Sequence, residues 1–161
     1  MKKHTEARLE DAIVDSLSKD GGYVSVNYRE GEAKGLYDKA RALDPVLVLE
    51  FIQKTQEKMW KSLEGIHGSE TGKIVLDHLC KELDTKGVLK VLRQGFKCYG
   101  KKLRIAVFAP SNAMNPNTLA LYDANVLSIT RQLYYSEENS NSLDLVLFLN
   151  GIPLILSLIH I

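Results

Sequence analysis

The residue with the clearest chemical potential is Asp144. It is the one acid in an otherwise apolar run, SLDLVLFLNGIP. A carboxylate beside a buried sheet is desolvated unless something compensates, and a bound cation is one such compensator. The plain alternative is a solvated carboxylate at a strand start. Asn150-Gly151 is a hairpin signal. As a strict two-residue turn it sets Asp144 opposite Ser157, and a three-residue loop at Asn150–Ile152 sets it opposite Leu158. Opposed residues share a face, with Cβ atoms about 4.5–5.5 Å apart. Two carboxylates so placed could jointly hold Mg²⁺, and a lysine two residues on would reach an attacking water or a phosphate. The chemistry therefore asks for an acid near 158 and a lysine near 160. The chain has Leu158, Ile159 and His160 there.

Other groups stand beside this one. Glu6 and Glu10 fall on the helical face that carries Ile13 and Leu17. They read equally as solvated acids bordering a core stripe. Lys86, Lys90, Arg93, Lys97, Lys101, Lys102 and Arg104 fall between Thr85 and Tyr122 with no acid among them. Such a stretch can contact phosphates or form an ordinary solvated face. Arg131 and Gln132 precede the Asp144 strand and suit either backbone contact with DNA or structure. Gly68-Ser69-Glu70-Thr71-Gly72-Lys73 fails as a phosphate loop. Its glycines are one residue too close, and Ile74 replaces the Ser/Thr that would hold Mg²⁺. The four histidines show no zinc spacing, and Cys80 and Cys98 have no base nearby in sequence.

The elements that must position these groups follow from periodicity and punctuation. Leu9, Ile13 and Leu17 mark an amphipathic helix over residues 4–19, stopped by Gly21-Gly22. Residues 23–43 read as loop with a short strand. Asp44-Pro45 starts a helix to about Lys54, with a second near Lys58–Leu63. Gly65 to Gly72 reads as a loop. Ile74–Leu83 is a helix with Val75, Leu76, Leu79 and Leu83 inward, and Val88–Arg93 is another that stops at Gly95. Leu103–Phe108 reads as a strand ended by Pro110, and Asn115-Pro116 opens a short helix through about Asp123. Val126–Tyr135 and Leu143–Leu149 are strands, and a last strand follows Asn150-Gly151. Leu143–Leu149, apolar at nearly every position, should be a central strand with neighbours on both sides. Helices first and strands last predict an α/β fold, a mixed sheet with helices packed on it.

The bulk numbers bound the class. A chain of 161 residues suits one domain, and no internal boundary is visible. A net charge of +1 selects no partner for the whole chain. Two cysteines without a second pair suit a reducing, cytoplasmic compartment. The N-terminus lacks the apolar core of a signal peptide. The longest apolar stretch, Ile152 to Ile161, is far short of the roughly 20 residues of a membrane span.

Here the residues resemble a known family. RQLYYSEENSNSLDLVLFLNGIPLI is similar to the nuclease core of the R (restriction and motor) subunit of type I restriction enzymes. TEARLEDAIVDSL, FIQKTQEKMWKSLEGIHG, GVLKVLRQGFK and LRIAVFAPSNAMNPNTLALYDANVLSITRQ agree. The resemblance covers the chain to about Leu156. It implies a restriction-endonuclease-like fold whose sheet is cut short on the C-terminal side. Residues 1–156 would be a partial R-subunit nuclease domain, and 157–161 a foreign or read-through tail. In that family the Asp of this strand is followed by a strand of the form I-E-L-K, completing a PD-(D/E)xK site.

The resemblance implies a type I site-specific deoxyribonuclease. Asp144 would be the Mg²⁺ ligand, Glu10 a further catalytic carboxylate, and Lys97, Lys101, Lys102, Arg104 and Arg131 contacts to double-stranded DNA. Modification and specificity subunits would be partners. ATP would act only in motor domains further along. Leu158 cannot bind Mg²⁺ and His160 is a poor stand-in for a lysine, so the chain alone is expected to be inactive. The alternative is a non-catalytic DNA-binding or assembly domain with a degenerate nuclease fold. A sheet cut short would leave an apolar edge and a tendency to aggregate.

Overall fold

The structure, a computed structural model, describes residues 2–112 and 114–158. It is an α/β fold with a mixed four-stranded sheet and a separate two-stranded one. The chain forms two compact units. One is built from its two ends, up to Asp44 and from Val126 on, and the other from Pro45–Asn125.

The unit built from the chain ends holds α1 (Lys2–Lys19), β1 (Val24–Ser25), β4 (Leu127–Tyr134), β5 (Ser142–Leu149) and β6 (Ile152–Ser157). The sheet order is β1-β4-β5-β6, with β1 parallel to β4 and the other pairs antiparallel. β5 is central, as its apolar sequence requires. Leu145, Val146 and Phe148 are buried, while Leu147 and Leu149 are half-buried. One face carries Tyr28, Leu133, Val146 and Phe148, with Leu36, Tyr37 and Leu143 packed against them. The rings of Tyr28 and Phe148 are 5.7 Å apart and tilted, within the range of favourable aromatic pairs. Tyr28 donates its hydroxyl to Asp44 at 2.8 Å, so a buried carboxylate is not left without a donor.

The sequence expectation for α1 needs one correction. Leu9 is 41% exposed and Ile13 and Leu17 are only half-buried, whereas Glu10 is 5% exposed. The inward side of this helix is set by a polar partner, described below, and not by its leucine stripe alone.

The Pro45–Asn125 unit holds α2 (Pro45–Thr55), α3 (Glu57–His67), α4 (Thr71–Lys86), α5 (Val88–Gln94), β2 (Phe96–Cys98), β3 (Lys101–Leu103) and α6 (Pro116–Asp123). Pro at the first turn of α2 costs no hydrogen bond. Asn115 caps α6 by accepting from the Asn117 N–H at 3.0 Å. Gly65–Gly72 is not the expected loop. α3 runs through Gly65 to His67, a single 3₁₀ turn covers Gly68–Glu70, and α4 starts at Thr71. The break is confined to Gly68, whose φ is 56°.

The strand expected at Leu103–Phe108 is also displaced. Only Lys101–Leu103 is strand, paired with Phe96–Cys98 across a Tyr99-Gly100 turn with φ of 46° and 74°. Two positive φ values match the twist of a two-residue hairpin. Ile105 and Ala106 are buried outside any strand, so burial rather than a place in the sheet explains their apolar character. A Cβ on Gly95 would sit 2.2 Å from the Leu103 carbonyl oxygen, so only glycine lets the hairpin close there.

Candidate active site

Asp144 is the third residue of β5 and is half-buried. The turn before β6 has two residues, since Leu149 pairs with Ile152. Asn150 and Gly151 carry φ of 49° and 81°. That turn alone would bring Ser157 opposite Asp144. A register shift at Leu147/Phe148 then inserts one residue into β6, and Leu145 pairs with Ser157. Continued by one residue, this register sets Leu158 opposite Asp144. A bulge therefore gives the outcome that the longer loop would have given. Leu158 is 60% exposed. Ile159 and His160, the remaining positions of the expected E-x-K, lie outside the described residues.

Asp144 is held from β4. The Gln132 Nε2 donates to Asp144 Oδ1 at 3.2 Å and to Glu10 Oε1 at 3.2 Å. Ser142 Oγ donates to Gln132 Oε1 at 3.0 Å, which fixes the amide with its nitrogen toward the two acids. Arg131 donates from Nε and Nη2 to Glu10 Oε2 at 3.2 and 3.0 Å, and its Nη1 bonds Asp11. Glu10, Arg131, Gln132 and Asp144 thus form one network across α1, β4 and β5.

Consecutive strand residues normally point to opposite faces. Arg131 and Gln132 both reach Glu10, so alternation fails between them. The cause is local. Gln132 has φ of 50°, and the β4–β5 ladder runs from Arg131↔Leu145 to Leu133↔Leu143 without pairing Gln132 to Asp144. The core confirms the flip, since Leu133 and Leu143 pack in the same cluster as Val146 and Phe148. Both strands change parity at the level of Gln132 and Asp144, and the two polar side chains leave the apolar face together.

The expected site residues are distributed unevenly. Asp144 and Glu10 come together through Gln132, while Glu6 is half-buried with no role in this network. Arg131 is an ion-pair partner of Glu10 and Asp11. Lys97, Lys101, Lys102 and Arg104 lie in the other unit, on the β2–β3 hairpin and just after it. There Lys97 pairs directly with Lys102, and both are exposed. Like charges directly opposed repel unless solvated or neutralised by an anion. Sequence reasoning missed Asp11 and Ser142. Nothing in a strictly alternating strand pattern pointed to Gln132 as the bridge.

A family model described as type I restriction enzyme R protein N terminus matches residues 3–157. The chain belongs to this family. No curated protein and no solved structure gave a match. For an R-protein N terminus, the fit of a divalent cation is a direct question. Among the described residues no group of three His, Cys, Asp or Glu side chains is placed to share a metal ion. Glu10 is already engaged by a guanidinium and an amide, and the last residue of β6, Ser157, pairs with Leu145 rather than with Asp144. The described residues do not by themselves fit Mg²⁺. Among them, no helix is long and apolar enough to cross a membrane.

Proposed function

We propose that this chain is the nuclease-fold part of an R subunit whose whole cuts double-stranded DNA by Mg²⁺-assisted phosphodiester hydrolysis. In that reading ATP-driven motor domains of the whole subunit couple cutting to translocation, in a complex with modification and specificity subunits. In a completed site Asp144 would be the metal-ligating carboxylate; Gln132 holds it, and the Arg131–Glu10 pair anchors the amide that does so. The observation that carries the reading is the register of β5 and β6, which pairs Leu145 with Ser157 and, continued by one residue, would set position 158 across from Asp144. An acid there, with a lysine at 160, would give the two-carboxylate arrangement that such chemistry needs. With Leu158 in place, the chain alone binds no metal tightly and cleaves no DNA.

The test is a gain of function. Calorimetric titration with Mn²⁺ is expected to show no binding to the unmodified chain. Leu158→Glu with His160→Lys should create binding, and Asp144→Asn added to that pair should abolish it. No metal binding by the Leu158→Glu, His160→Lys chain would favour a second reading, a non-catalytic DNA-binding or assembly domain. Leu158 itself is the observation that speaks for that alternative. Mg²⁺-dependent plasmid cleavage by the unmodified chain would refute the proposed inactivity.

A further inference from the structure

The β4 edge that faces β1 is covered over only part of its length. β1 pairs with Ser128 and Ile129, and the Val26 N–H donates to the Ile129 carbonyl at 2.9 Å. Beyond Ile129 no strand among the described residues pairs with that edge. The space beside it is a cavity of about 440 Å³, walled by the 28–39 segment and by residues 130–134. Its chemistry is uneven in an informative way. Arg29, Lys34, Lys39 and Arg131 line it with Tyr28, Tyr37 and Tyr134, and no acid does. Arg131 is neutralised by Glu10 and Asp11, and Lys39 donates to the Ser136 carbonyl at 3.0 Å. Arg29 and Lys34 are exposed and make no ion pair among the described residues, so their charge is available. The Arg29 guanidinium lies 5.4 Å from the centre of the Tyr134 ring. Thr130, 2% exposed, also lines the cavity, and its Oγ1 is buried without a hydrogen-bond partner. A buried polar atom of this kind calls for a partner.

We propose that this cavity binds a nucleobase together with its phosphate, carried by an unpaired DNA strand or by a free nucleotide. Cations for a phosphate beside aromatic faces for a base are the combination by which unpaired nucleic acid is held. The volume is in the range of small-molecule sites and exceeds what a bare phosphate needs. The phosphate lies with Arg29 and Lys34, because Glu137 and Glu138 line an adjoining cavity at the Lys39 end. The base lies against Tyr134 and Tyr37. A second cavity of about 250 Å³ shares Arg29, Arg131 and Gln132 with the first. A strand leaving the first cavity therefore runs toward Gln132, the residue that holds Asp144. Only the choice of DNA as the strand rests on the function proposed above.

The test is fluorescence anisotropy with a 5′-labelled oligothymidylate of about ten nucleotides, within the usual site sizes for unpaired strands. It is run in EDTA, so that a failure of metal binding at Asp144 and a failure of this site are seen separately. The oligonucleotide is expected to bind, and dTMP to displace it at lower concentration than inorganic phosphate does. Arg29→Ala with Lys34→Ala, both exposed positions, should weaken binding by about tenfold or more. Tyr134→Leu should weaken it by about fivefold or more through lost stacking. Oligonucleotide binding much tighter than dTMP assigns the strand as ligand, and equal affinity assigns the free nucleotide. Equal binding of a duplex, equal competition by phosphate and dTMP, or no effect of the Arg29 and Lys34 substitutions would overturn the proposal.

Discussion

Gln132 donates its side-chain amide to Asp144 across neighbouring strands at 3.2 Å, from a backbone φ of 50°. A non-glycine residue in the left-handed region stores strain that only a surrounding network maintains. Gln132→Gly and Gln132→Val both lose the amide, but only valine is penalised by the backbone. Val is expected to be less stable than Gly at this position by about 1–3 kcal/mol in urea denaturation. Equal stabilities would show that the left-handed turn is not retained.

The ion pair between Arg131 and Glu10 places a largely buried carboxylate under a guanidinium that is 37% exposed. Arg131→Ala leaves Glu10 short of its charged donor and should cost about 1–3 kcal/mol. Adding Glu10→Gln should recover part of that loss, because a neutral amide tolerates burial better than an unpaired carboxylate. A double-mutant cycle from thermal unfolding reads the coupling directly. Strict additivity would mean that the pair contributes nothing.

The Tyr28 hydroxyl has its pKa pushed well above the ordinary tyrosine range, first by burial and then by the neighbouring Asp44 carboxylate that accepts its hydrogen bond. Folding therefore favours the protonated form. Above about pH 10 the unfolded chain loses this proton while the folded chain keeps it, so stability falls as pH rises. The contribution is complete below the unfolded pKa. Tyr28→Phe should flatten the alkaline limb of a stability–pH profile while lowering stability at neutral pH by about 1–3 kcal/mol. An unchanged alkaline limb would remove Tyr28 as its cause.

Asn150 ties the β5–β6 turn to the start of β4. Its side-chain oxygen accepts from the Val126 N–H at 2.7 Å and its own N–H donates to the Val126 carbonyl at 2.8 Å. It is 1% exposed with φ of 49°. Asn150→Ala should cost about 2–4 kcal/mol, since an N–H loses its acceptor and alanine is disfavoured at that φ. Asn150→Asp keeps an acceptor and tolerates the conformation, so it should cost less. The ordering of the two variants in urea midpoints checks the assignment.

Much of this molecule could be read along the chain. The Asp144 strand, its Asn150-Gly151 turn, the last strand and most helices are local signals, carried by apolar runs, turn residues and caps whose effects act within a few residues. The apolar composition of β5 also dictated its central place, because only flanking strands can cover such a sequence. Asp144 stood out for the same reason, as one charge in a run with no other.

The sequence alone determined most of the elements, the family pattern and the residue at position 158. Only the tertiary structure decided what faces what. The bulge in β6 set Ser157 against Leu145 and so away from Asp144, and the left-handed Gln132 put two consecutive side chains on one face. It also turned Arg131 toward Glu10 and buried that acid while leaving Leu9 exposed on α1. These outcomes depend on groups far apart in sequence competing for the same hydrogen bonds and the same face, and no local periodicity encodes that competition.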